Sequence, residues 1–265
     1  MKYSDFFFKG AHVRGYPDTA KAVMHLVRDG VPADETGLPP HFPFPGGSFA
    51  NGGAMRISPL AIAFKGVAPH VLRAVVEVAI QASHRHPEAV DGAAVQARAV
   101  QWLLFCDSAV DVPVFLASLV AICDTDAMRA VIADMGTRLQ TPSLPLGTAA
   151  DIAQLQALLR PIRRSGSGFD FQIAAVHMLP CALWVFLRYG IHHPFEAVQR
   201  AIAIGGDTDT TASLVGAMCG ALHGVDWLPS ALLEELENGE RGRDYAIDLA
   251  DRLAALDLGA GHVRA

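Results

Sequence analysis

The sequence predicts an all-α fold built as a single domain, and three observations predict it. Apolar residues recur with a period of three to four along most of the chain, strict two-residue alternation over a strand's length is absent, and 265 residues with 51% hydrophobic content suit one large core. After Pro69, the residues Leu72, Val75, Val76, Ala79 and Ile80 form one apolar stripe, so a helix over 69–82 is expected with its proline in the first turn. The same period recurs in 88–105, where Val90, Ala94, Ala97 and Leu104 repeat, and in 113–123, which opens at Pro113 after Asp111. Further helices are expected at 149–159, 180–188, 194–203, 208–223, 229–237 and 243–255. No fixed-period repeat points to a solenoid.

Between the helices, residues 31–53 carry Pro39, Pro40, Pro43, Pro45 and the pairs Gly46-Gly47 and Gly52-Gly53, which rules out helix or central strand for most of that length. Long irregular segments inside a domain are often functional. A second loop, 161–169, with Arg163-Arg164 beside Ser165-Gly166-Ser167-Gly168, reads as an exposed connection.

Composition removes several classes of function. Lys+Arg 21 against Asp+Glu 27 gives a net charge of -6, with no basic dominance of the kind a dedicated nucleic-acid binder shows. The longest nearly apolar run, Ala174 to Leu187, contains His177 and Pro180 and is shorter than the roughly 20 residues of a bilayer span. No basic segment leads into an apolar stretch at the start, so no secretory signal is expected and the default compartment is the cytoplasm. Cys106, Cys123, Cys181 and Cys219 lack the close paired spacing of zinc sites or disulfide scaffolds and read as reduced core residues.

The sharpest motif is Gly205-Gly206-Asp207-Thr208-Asp209-Thr210-Thr211, between the segment 197–204 and the helix 208–223. Two glycines permit a tight turn, and Asp207 is placed to cap the following helix. A cap accounts for Asp207 alone. Asp209 and Thr210 add a second carboxylate and a hydroxyl within one turn, an oxygen set that suits a hard cation such as Mg2+ or Ca2+. Along the same helix, Ala212, Gly216, Gly220 and Gly224 form a small-residue edge, which predicts a central helix approached closely by a neighbour, with Gly224 as its C-terminal cap.

A second motif, Gly47-Ser48-Phe49-Ala50-Asn51-Gly52-Gly53-Ala54-Met55-Arg56, leads through Ser58-Pro59 into a short apolar helix. It has two readings: a tight loop before a proline-initiated helix, or a set of exposed backbone N–H donors for phosphate or ribose oxygens, with Arg56 adding charge. A third, Ser83-His84 followed by His86-Pro87, ends the 69–82 helix, where a histidine is ordinarily explained by the helix dipole.

In this order these segments resemble the ADP-ribosylglycohydrolase family, all-helical hydrolases that include dinitrogenase reductase-activating glycohydrolase and the arginine- and serine-directed ADP-ribosyl hydrolases. The matching pieces are GSFANGGAMRISPLA at 47–61, SHRHPEAVDGAA at 83–94 and AIAIGGDTDTTASLVGAMCGALHG at 201–224, with weaker support from Arg14-Gly15-Tyr16 and from 168–184. The likeness is strongest over 5–235, and the serine-directed branch looks nearest. It implies one compact orthogonal helical domain over 1–265, the C-terminal part of the family fold without its first helices.

The resemblance implies Mg2+-dependent hydrolysis of ADP-ribosyl linkages, with ADP-ribose or ADP-ribosylated protein as partner and nucleic acid only as an ADP-ribosylated end. It makes Asp207, Asp209 and Thr210 ligands of a two-Mg2+ centre that orients the distal ribose. Gly47, Ser48, Phe49, Ala50 and Asn51 match the segment that wraps pyrophosphate and riboses; His84 matches a histidine near the nucleotide, and Gly15 and Tyr16 a turn at the cleft edge. Phe49 stands where serine-directed members have Tyr, which keeps the aromatic face and drops the hydroxyl. The family's Gly-Asp turn and Thr-Asp-Asp motif have no counterpart here, and no Asp-Asp pair occurs in the chain. Three expectations follow: a hydrolase lacking its first helices, a member that binds ADP-ribose without turnover, or an all-α scaffold whose acidic helix start is only a cap.

Overall fold

Helices make up all the regular structure of the described residues in the computed structural model, which describes residues 16–106, 109–139, 148–150, 153, 173–256 and 258. In chain order they are α1 (Asp18–Arg28), a 3-10 turn (Ala54–Arg56), α2 (Ser58–Ala63), α3 (Pro69–Ile80), α4 (Pro87–Leu103), α5 (Val112–Val120), α6 (Asp126–Ala133), α7 (Met135–Arg138), α8 (Ala175–Val185) running into a π turn (Phe186–Gly190), α9 (Pro194–Ala203), α10 (Thr208–His223), α11 (Ser230–Glu235) and α12 (Arg243–Ala254). The expected helices at 69–82, 88–105, 113–123, 194–203, 208–223, 229–237 and 243–255 correspond to α3, α4, α5, α9, α10, α11 and α12. Only Ala149, Ala150 and Ala153 of the expected 149–159 helix are described, and they are helical; the remainder and the 161–169 loop lie outside the described residues.

Three helices escaped the sequence reading. In α1, Ala20, Val23, Met24 and Val27 make a short stripe of which Val23 and Met24 are buried. The start of α6 is capped by Thr125, whose side chain accepts from the backbone N–H of Met128, and Met128 and Ile132 enter the core. The four-residue α7 follows it directly. One start is corrected: the helix expected from Pro180 begins at Ala175 and carries Pro180 inside it. A proline removes one helical N–H bond. Every residue of α8 except His177 is buried, and that burial outweighs the lost bond.

The hub is α4, with 13 of its 17 residues buried. It packs against α2, α3, α5, α6, α8 and α10. Its neighbours enclose it on most sides, so that even Asp91, Gln96 and Gln101 are buried and hydrogen-bonded, and its alanines let those neighbours approach. The closest approach is at Gly92, where a Cβ would lie 2.7 Å from Ala175 Cβ of α8.

This corrects the small-residue reading of α10. A Cβ at Gly216 would meet only Val198 Cγ2, at 3.9 Å, and one at Gly220 would meet nothing within 4 Å. What α10 presents inward is Thr211, Leu214, Val215, Met218 and Cys219, packed against α4, α8 and α9. Gly224 does end the helix, at φ 73°.

A buried ion pair ties three helices together. Asp91 of α4, fully buried, accepts from Arg73 Nη1 of α3 at 2.8 Å, from the N–H groups of Asp124 and Thr125 at 3.0 and 2.7 Å, and from Thr125 Oγ1 at 2.6 Å. All four bonds satisfy the carboxylate, the condition for a charge to sit in a core. The thiols of Cys123 and Cys219 are pushed up to about 12, mainly by burial, in keeping with inert core cysteines. No helix among the described residues is long and apolar enough to cross a membrane.

Candidate functional site

The acidic motif lies at the α9–α10 junction. Gly205 and Gly206 have φ of 82° and 76°, two successive left-handed residues that reverse the chain after α9, and only glycine takes both without strain. Asp207 then stands at the N-terminus of α10, yet its side chain makes no capping bond. The cap expectation is corrected. Its Oδ2 instead accepts from Asn51 Nδ2 at 2.7 Å, across 156 positions of sequence.

That bond joins the acidic helix start to the glycine-rich loop. Asn51 is buried, donates its N–H to Ile173 O at 2.7 Å and accepts from Met55 N at 3.1 Å. Ala175 N returns a bond to Phe49 O at 3.0 Å, so Ala50 and Ala174 form an isolated antiparallel bridge that pins the loop to the entry of α8. Gly47 has φ 80° and sits where a Cβ would lie 2.7 Å from Arg85 Cβ. The loop is therefore built into the fold at both ends.

The second strut is Arg56. Its Nη1 donates to Gly52 O and its Nη2 to Ser83 Oγ, each at 2.7 Å, and Ser83 Oγ lies 2.8 Å from His84 Nδ1. His84 is 9% exposed and packs under Gly52, where a Cβ would lie 3.0 Å from its Nε2. Burial, aided by the Arg56 charge, lowers its pKa to about 3. The ring is neutral near pH 7, which overturns the helix-dipole explanation, because that requires a cation.

At the α10 start, Asp207 and Asp209 hydrogen-bond to each other: burial raises the pKa of Asp207, and the bond from Asp207 lowers that of Asp209. Asp209 Oδ1 also accepts from Thr210 N at 3.0 Å, and Thr210, buried, directs its hydroxyl to Met55 Sδ at 3.6 Å. Among the described residues, no cluster of three or more His, Cys, Asp or Glu side chains is arranged to hold a metal ion.

Above the loop, Phe49 is 40% exposed and lies in a row with Phe44, at 6.2 Å, and His86, edge-on at 6.1 Å. Phe44 was not singled out from sequence; Phe42 beside it is buried, whereas Phe44 at 47% and Phe49 at 40% exposure keep their rings at the surface. Ser48 Oγ accepts from Ala50 N at 3.2 Å and shapes the turn. The structure thus assembles Gly47, Ser48, Phe49, Ala50, Asn51, His84, Asp207, Asp209 and Thr210 in one region. Tyr16, partly buried ahead of α1, takes no part in the bonds above, and Gly15 lies outside the described residues.

The sequence model of the family described as ADP-ribosylglycohydrolase matches residues 2–262. Over 209 residues the chain is 29% identical to the ADP-ribosylhydrolase ARH3 of Bos taurus, covering 73% of this chain and 55% of that protein. It is 31% identical over 224 residues to the ARH3 of Danio rerio, covering 78% and 57%. The chain spans about half the length of the curated relatives it matches. Among solved structures, an ADP-ribosylglycohydrolase-related protein complex superposes with a TM-score of 0.66 at 20% identity, covering 97% of this chain and 72% of that one, which shows the shared fold.

Proposed function

The chain belongs to the ADP-ribosylglycohydrolase family, and from that premise we propose that it hydrolyses ADP-ribosyl linkages with the help of Mg2+, releasing ADP-ribose from modified protein side chains or related conjugates. The observation that carries this reading is the 2.7 Å bond from Asn51 to Asp207, which locks a glycine-rich loop and an acidic helix start into one site.

The residues fit a hard cation. Asp207, Asp209 and Thr210 offer oxygen donors within one turn, and the Asp209 charge beside the partly buried Asp207 carboxyl is the kind of crowding a cation relieves. With water completing its shell, one Mg2+ matches this donor set; two octahedral ions need more ligands than these three residues supply. A bound Mg2+ supplies Lewis-acid stabilisation and orientation of ribose hydroxyls.

Every other role falls to the chain itself. Asn51 holds Asp207 in one orientation, Phe49 and Phe44 offer ring faces to a base or ribose, and neutral His84 with Arg56 keeps the Gly52 turn from collapsing into the site. A second reading, ADP-ribose binding without turnover, is favoured by the same count of carboxylates, since the described site gathers only two.

Calorimetry of ADP-ribose with and without millimolar Mg2+, beside release of ADP-ribose from a serine- or arginine-modified peptide, separates them. Mg2+-enhanced binding with release supports the hydrolase, and Mg2+-indifferent binding without release supports the second reading. Asn51→Ala should weaken ADP-ribose binding about tenfold while leaving the melting temperature within a few degrees, because one charge-assisted bond is removed. Unchanged affinity would disconnect the loop from the acidic helix start.

A further inference from the structure

A cavity opens at the opposite end of α4, about 16 Å along the helix from Pro87 if measured at its Arg98. Its volume is about 480 Å3, within the range of small-ligand sites. Lys65, Arg98, Gln101, Trp102, Phe105 and Asp111 line it. Nothing in the site described above uses any of them.

The charge balance of the cavity is the informative feature. Arg98 Nη1 donates to Gln101 Oε1 at 2.7 Å, a neutral acceptor, and its Nε is buried with no partner. No carboxylate pairs with Arg98 among the described residues. Gln101 is itself committed, its Nε2 donating to the carbonyls of Phe64, Lys65 and Val67 at 3.2, 3.2 and 2.9 Å. Lys65 Nζ adds a second cation, held among the described residues by Ala254 O at 2.9 Å. Among the described residues that line it the one acid is Asp111, which spends its Oδ1 on Val114 N at 3.1 Å as the cap of α5.

A partly buried guanidinium without a counter-charge is costly, and burial alone lowers the pKa of Arg98. Such a group is relieved by an anion. Trp102, edge-on to Phe115 at 5.1 Å and therefore fixed in orientation, and Phe105, 62% exposed, add two ring faces beside the cations.

We propose that this cavity is a ligand site separate from the Asn51–Asp207 region and takes a small aromatic anion, a planar ring carrying a phosphate or carboxylate. The anion meets Arg98 and Lys65, for which the planar fork of arginine is suited, and the ring lies against Trp102 and Phe105.

The test uses phenyl phosphate as probe, with inorganic phosphate and phenol as separate arms, followed by NMR at the indole N–H signals; Trp102→Phe assigns the signal that belongs to Trp102. Phenyl phosphate should move that signal saturably and bind more tightly than either half alone. Arg98→Gln should weaken it about tenfold or more, and Lys65→Gln should weaken it several-fold, whereas Asn51→Ala leaves it unchanged. If Arg98→Gln fails to fold, Lys65→Gln and the salt dependence of binding carry the test. An absent saturable shift, an affinity that neither charge substitution alters, or a loss that follows Asn51→Ala overturns the proposal.

Discussion

Acidification should weaken this fold through one histidine, and the size of the effect follows from its burial. His84 has a pKa near 3 in the folded chain against 6.5 for the exposed ring, because its site excludes water and Arg56 stands close by. Between those values the unfolded chain binds the proton and the folded chain does not. Stability therefore rises with pH through this window and falls as pH drops below 6.5. Each unit below 6.5 costs about 1.4 kcal/mol, so pH 5 costs about 2 kcal/mol relative to pH 8.

His84→Gln keeps a polar side chain beside Ser83 Oγ and removes the titration. Urea unfolding of both proteins at pH 8, 6.5 and 5 isolates the effect, since the carboxylates contribute equally to each. The wild-type chain should lose about 2 kcal/mol more than the variant between pH 8 and 5, equivalent to a melting difference of about 4–8 °C. Parallel stability curves, or an NMR titration of the His84 ring near 6.5, would refute the argument that this ring is held neutral by burial.

Other outcomes follow from the packing. Asp91→Ala should cost about 1–3 kcal/mol in urea unfolding, since it leaves two backbone N–H groups without their buried acceptor while Arg73 keeps Asp124 and Glu77; a loss under 1 kcal/mol would mean that water takes its place. Gly92→Val should lower stability by about 1–3 kcal/mol or more by wedging α4 from α8, and a neutral result would show that the two helices separate freely. Gly220→Ala should be neutral or stabilising by up to about 1 kcal/mol, as its Cβ meets nothing within 4 Å; a loss above 1 kcal/mol would restore the close approach expected at that edge.

The sequence by itself determined the helical class, most helix positions from α3 onward, the irregular 31–53 segment, the two motifs of the site and the family. These are local properties: periodicity, proline at helix starts, and glycines where the backbone turns left-handed, as at Gly47, Gly205 and Gly206. Short helices such as α6 were missed because two buried residues make too brief a stripe to stand out. Asp207 was legible as a residue of interest, but its partner was not, because capping is a local possibility and Asn51 lies 156 positions away. The same holds for His84, whose protonation depends on how α3 and the Gly52 turn enclose it, and for glycine packing, where the tight approach falls at Gly92 against Ala175 and leaves Gly220 open. Tertiary structure decided these points because burial and pairing are set by which distant segments meet, and neither periodicity nor spacing along the chain encodes that.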